Sequence, residues 1–117
     1  LCSGKVFYDL EAERDKRGLT DVTMLRHEQI APFPKTPLRE ELKRFPTADV
    51  VWCQEEPQNM GAWTYVAPRI ESLIKRLDGP SNRPVYAGRP GAASPATGTN
   101  RVHVAEQADL VDKALTR

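Results

Sequence analysis

Glu55 and Glu56 stand side by side, directly after the apolar run Val50-Val51-Trp52-Cys53 and just before Pro57. Two adjacent acids suggest general acid/base chemistry first. That chemistry needs one carboxyl desolvated and its proton affinity raised. Neighbouring residues on an extended chain point to opposite sides, so these two cannot easily share a proton. The reading they support is structural or interfacial: capping free amides, or meeting an arginine. A polar turn follows (Gln58, Asn59), and Gly61-Ala62-Trp63 opens a helix whose free N–H groups and partial positive charge the acids can complement. Acids at the carboxyl end of a parallel strand sit where open α/β sheets place functional groups.

Other positions also carry chemically capable side chains. Cys2-Ser3-Gly4-Lys5 forms a strand-turn-helix corner of the kind that can hold a phosphate on backbone amides. It lacks the second glycine and the trailing Ser or Thr of a P-loop, and Val6 follows Lys5 instead. Arg89, set between Gly88 and Pro90, is the best single contact for an anion or a partner carboxylate; pairing with Glu55 or Glu56 is the reading taken ahead of ligand binding. His27 and His103 have no Cys, His or Asp at a metal-ligand spacing. Ser3 and Ser94 lack the context of a nucleophile elbow. Cys2 and Cys53 lie in apparent strands and read as buried, unpaired thiols.

The elements that must position these residues alternate. A strand ends at Leu1-Cys2, and a helix runs from Gly4 to about Lys16, stopped at Gly18. A strand covers Val22 to Arg26. The three prolines Pro32, Pro34 and Pro37 enforce a loop. Thr36 and Pro37 signal the N-cap and first turn of a helix carrying Leu38, Leu42 and Phe45. The strand Asp49 to Cys53 leads into the acidic corner. Trp63, Val66, Ala67, Ile70, Leu73, Ile74 and Leu77 form one helical stripe, with Pro68 kinking or dividing it and Asp78-Gly79-Pro80 closing it. A short strand spans Pro84 to Ala87. Gly88 to Asn100 reads as a tightly laid loop, Val102 to Val104 as one more strand, and Ala105 to Leu115 as a helix with Ala108, Val111 and Leu115 inward. This order implies an α/β fold with a mostly parallel open sheet and helices on both faces.

The 117 residues suit one domain with one core. With 17 basic and 16 acidic residues, the charge balance gives no support for nucleic acid or an anionic membrane as partner. No apolar run approaches the roughly 20 residues of a membrane helix, and no signal peptide is visible. The abrupt start at the end of a strand suggests a piece of a longer polypeptide.

The same residues carry a family resemblance. Cys2-Ser3-Gly4-Lys5-Val6-Phe7-Tyr8-Asp9-Leu10 is one block, and Arg26-His27-Glu28-Gln29-Ile30-Ala31-Pro32-Phe33-Pro34 is the next. Trp52-Cys53-Gln54-Glu55-Glu56-Pro57 with Asn59, Gly61, Ala62 and Trp63 is the third. Tyr86-Ala87-Gly88-Arg89-Pro90 and Ala93-Ser94-Pro95-Ala96-Thr97-Gly98 complete the series. Together they resemble the C-terminal domain of the 2-oxoglutarate dehydrogenase E1 component, His27 being a departure from the pattern.

The resemblance implies a single C-terminal domain, residues 1–117, with a transketolase C-terminal-like fold containing one antiparallel strand. The intact enzyme would be a homodimer that uses thiamine diphosphate and Mg2+. It would decarboxylate 2-oxoglutarate oxidatively and pass succinyl to the lipoyl group of the E2 succinyltransferase, in a tricarboxylic acid cycle complex that also contains E3. The two preceding E1 domains would hold the cofactor, so no catalytic, cofactor or metal residue carries over to this chain. Glu55, Glu56, Asn59, Gly61 and Trp63 inherit the family's role in subunit and interdomain contact. An effector anion would meet Ser3, Gly4, Lys5 and Arg89. The alternatives are a nucleotide-effector module and the same domain of a 2-oxoadipate dehydrogenase. The compartment implied is bacterial cytoplasm or mitochondrial matrix.

Overall fold

The computed structural model describes residues 1–77, 82–94 and 98–116. Its elements are α1 (Val6–Arg17), α2 (Lys35–Lys43), β1 (Val51–Pro57), α3 (Trp63–Ile74), β2 (Val85–Arg89) and α4 (Asn100–Leu115). β1 and β2 pair in parallel, with Val51 opposite Val85, Trp52 opposite Tyr86 and Cys53 opposite Ala87. The register then slips, so that Pro57 faces Arg89. Cys2 adds parallel bridges to Cys53 on one side and to Arg26 on the other. The sheet therefore has four lanes: Arg26, Cys2, β1, β2.

The expected strands at Leu1-Cys2 and Val22–Arg26 narrow to single bridges. Only Leu25 O and His27 N reach across to Cys2, at 3.1 and 2.8 Å. Pairing is parallel throughout, and the antiparallel strand implied by the resemblance is not among the described residues.

Strand pleating divides the core in two. Cys53 and Val51 face a cluster with Cys2, Val6, Leu10, Ala87, Leu110, Val111 and Leu115, so α1 and α4 cover one side. Val50 and Trp52 face Leu38, Leu42, Val66, Ile70, Leu73 and Ile74, so α2 and α3 cover the other. The expected α/β architecture with helices on both faces stands.

Several local expectations need correction. Val102 to Val104 is not a strand but the first turns of α4. Thr99 is extended (φ −128°, ψ 146°) and its hydroxyl accepts from Val102 N at 3.3 Å, and this cap starts the helix there. Ala108 is exposed, and Leu110 takes the inward position. α2 begins at Lys35, so Thr36 is inside its first turn rather than capping it. α3 runs through Pro68 as one helix, its buried stripe of Val66, Ile70, Leu73 and Ile74 intact. Gly18 ends α1 as expected, in the left-handed region (φ 66°). The expected stop at Asp78-Gly79-Pro80 lies outside the described residues, as do residues 95–97 of the long loop.

Candidate functional site

The carboxyl ends of β1 and β2 converge with the start of α1 and the middle of α4. β2 delivers Arg89 into this junction with only 6% of its surface exposed. Its Nη1 donates to the main-chain oxygen of Glu55. Its Nη2 donates to Gln107 Oε1 at 3.0 Å and lies 3.3 Å from His103 Nδ1. Its Nε is 3.6 Å from Glu106 Oε2. Lys5 Nζ lies 2.6 Å from Glu55 Oε1, and this contact raises the lysine's pKa. Gln107 Nε2 donates to the same Glu55 oxygen at 2.9 Å and to Asp9 Oδ2 at 2.8 Å.

Lys5 and Arg89, expected to serve an anion, are thus brought together, and both are engaged by Glu55. Arg89 meets that residue through its main chain, while the carboxylate goes to Lys5. An incoming anion would have to displace Glu55 from Lys5. Ser3 and Gly4 stand at the turn before α1, where Gly4 takes φ 78°.

The acidic corner is organised by a residue that sequence reasoning passed over. Gln54 is 3% exposed. Its Oε1 accepts from Trp52 Nε1 at 2.9 Å and from Trp63 N at 3.0 Å. Its Nε2 donates to the carbonyls of Met60, Pro57 and Glu56 at 2.8, 3.0 and 3.1 Å. The start of α3 is therefore satisfied by Gln54, not by the carboxylates of Glu55 and Glu56 as expected. A signal existed: residues 50, 52 and 54 share one face of a strand, so a strand prolonged to position 54 places an amide beside buried Trp52.

Around this hub the other expected residues take distinct places. Glu56 is exposed and lies over Gly61 (φ 65°), where an added Cβ would come within 3.0 Å of its side chain. Asn59 clamps the long loop through paired bonds with Ala92 N and O, both 2.9 Å. The Trp63 ring sits 5.1 Å from that of Tyr86. Tyr86 Oη donates to Arg89 O at 2.6 Å, and burial pushes its pKa up to about 12.

Of the remaining reactive groups the two thiols lie in the core and His27 is half-buried. Burial raises the Cys2 thiol and pushes Cys53 up to about 12, and both are free. Burial lowers the pKa of His27, whose ring stacks on Phe33 (6.4 Å) and whose Nε2 is buried without a hydrogen-bond partner. A cavity of 320 Å³ opens at the amino end of β1, lined by apolar groups such as Val22, Met24, Phe45 and Val50 together with Asp21, Thr23 and Asp49.

Fold and site together define a small parallel α/β domain whose strand-end charges are paired with one another. Residues 1–115 match the family described as 2-oxoglutarate dehydrogenase C-terminal, and the chain belongs to that family. It is 54% identical over 115 residues to the 2-oxoglutarate dehydrogenase E1 component of Brucella anthropi, and equally to those of Brucella ovis and Brucella suis. The match covers 98% of this chain and 12% of each relative's length. The resemblance read from the sequence blocks is borne out.

Proposed function

We propose that this chain is the C-terminal domain of a 2-oxoglutarate dehydrogenase E1 chain, in which it braces the assembly and contributes no reacting group. The carrying observation is the family match across residues 1–115, with 54% identity to E1 components. The complete E1 would decarboxylate 2-oxoglutarate oxidatively and hand succinyl to the lipoyl group of E2, in the tricarboxylic acid cycle, with E3 completing the complex. Its reactive centre would be thiamine diphosphate with Mg2+. Magnesium seeks converging oxygen ligands. Among the described residues no group of three or more His, Cys, Asp or Glu is placed to hold a metal. The cations nearest the strand ends are engaged by Glu55. These residues do not fit the cofactor, so preceding E1 domains are assigned that role and no chemical step is routed through this chain.

The acidic corner is the surface assigned to contact with a second copy or with preceding domains. Glu56, Asn59 and Gly61 are its exposed face; Glu55 and Trp63 support it from behind. The Lys5–Glu55 pair speaks against an effector site at Ser3, Gly4, Lys5 and Arg89. Among the described residues no helix is long and apolar enough to cross a membrane. The Brucella relatives named above are bacterial, which favours a bacterial cytoplasmic setting over the mitochondrial matrix.

The test is a chimera: this chain replaces the corresponding C-terminal region of the Brucella anthropi E1. The chimera should form the dimer and support 2-oxoglutarate-dependent NADH production with E2 and E3, and prefer 2-oxoglutarate to 2-oxoadipate. Thiamine diphosphate and Mg2+ binding by the 117-residue chain alone, measured by calorimetry, would refute the assignment of roles.

A further inference from the structure

β1 carries one polar side chain into the sealed interior at its carboxyl end, and its bonding pattern is directional. Two N–H donors, Trp52 Nε1 and Trp63 N, converge on Gln54 Oε1. Three carbonyls, those of Glu56, Pro57 and Met60, converge on Nε2. One end of the side chain must accept and the other must donate. A primary amide meets both demands without charge. The bonded groups belong to the strand end, the turn and the first residue of α3, so one side chain ties together every part of the corner. Gly61, at φ 65°, lies so close under Glu56 that an added Cβ would come within 3.0 Å of its side chain.

We infer that Gln54 is a positioning residue, whose amide locks residues 56–63 into a single shape so that Glu56, Asn59 and Gly61 reach the neighbouring polypeptide already ordered. This rests on the reading of the corner as a contact surface. Docking a preformed loop avoids the ordering cost that a mobile one incurs on association.

The lock has a chemical signature. In Gln54→Glu the carboxylate keeps one oxygen for Trp52 and Trp63 but sets its second against three carbonyl oxygens. Protonation removes the charge and turns that second oxygen into an O–H donor to one of the three carbonyls, restoring part of the contact. The corner then becomes pH-operated, opening as the proton leaves. The titratable groups next to this position are Glu56, whose carbonyl it bonds, and Tyr86 from β2; from α3 it meets the Trp63 amide. The near-isosteric Gln54→Met removes donor and acceptor together and should show no such dependence.

The experiment uses the full-length E1 carrying this domain, with peptide-resolved hydrogen exchange over residues 56–63 and sedimentation for assembly. At about pH 7.5 both variants should exchange these amides at least about ten-fold faster than the unmodified enzyme. Near about pH 5.5 Gln54→Glu should slow towards the unmodified rate at that pH, while Gln54→Met stays fast. Should Gln54→Met fail to fold, the pH response of Gln54→Glu alone decides. Unmodified protection in both variants at both pH values overturns the lock, and so does a Gln54→Glu variant that stays fast at the lower pH. Loss of protection with unchanged assembly leaves the lock standing and removes the contact-surface reading instead.

Discussion

Replacing Arg89 with methionine is the sharpest test of the strand-end network. The side chain is 6% exposed, so its hydrogen bonds to Glu55 O and Gln107 Oε1 form largely out of water. Hydrogen bonds to a charged group contribute about 1.5–3 kcal/mol each. Methionine retains most of the aliphatic packing, so little of the change is cavity formation. Removing the guanidinium also relieves its own desolvation, which offsets part of the loss. The net cost comes to about 2–4 kcal/mol. For a chain of this length about 1 kcal/mol shifts the melting temperature by about 4 °C, so the drop should be about 8–16 °C by calorimetry. Arg89→Lys should recover little, because an ammonium on a flexible stem cannot span the Glu55 carbonyl and Gln107 as the planar fork does. Combining Arg89→Met with Gln107→Ala should be non-additive by about 1 kcal/mol or more. A melting point within about 4 °C of the parent, or full additivity, would show that the network is an incidental contact of surface charges.

Gly88→Ala should destabilise by about 2–4 kcal/mol in urea melts, since its Cβ would lie 2.4 Å from Tyr86 Oη and 2.9 Å from Gln54 O, forcing Tyr86 off Arg89 O. His27 should make stability fall in acid. Burial favours the neutral ring, so the folded pKa lies below the unfolded value of about 6.5; stability is full above that value and lost as pH falls towards the folded pKa. His27→Leu should flatten this dependence in denaturation series across that range, and an unchanged slope would exclude His27 as its source. Cys2 and Cys53 should resist a thiol reagent at about pH 8 until denaturant is added, because both are buried and their thiolates disfavoured. Rapid labelling of the native chain would contradict the core placement.

The fold was readable where periodicity and punctuation agreed. The α3 stripe, the Gly18 stop and the alternation of Val50 and Trp52 against Val51 and Cys53 all follow from side-chain spacing. It was misread where β-branched residues sit in a helix start. Val102 and Val104 look like a strand, but the Thr99 cap and their exposure at the head of α4 let the helix win. At the site, an arginine fixed by glycine and proline marked Arg89 as an engaged cation, but the expected carboxylate pairing with Glu55 or Glu56 is replaced by the Glu55 main-chain oxygen and the Glu106 carboxylate. Its partners Gln107 and Glu106 were not legible, because α4 lies far along the chain and nothing local marks them. Gln54 escaped because the strand was ended at Cys53, one residue before the pleat would have revealed it.

Gln107 reaches Asp9 across 98 positions and Glu55 across 52. The ribosome therefore makes Gln107 well after the two acids that it joins. Until α4 docks, the Arg89 guanidinium lacks its glutamine acceptor and the first helix lacks its tie to the last. A stop codon between Arg89 and Gln107 would leave a chain in which β1 and β2 can pair but Arg89 lacks Gln107, and such a product should be recognised by proteases as incomplete.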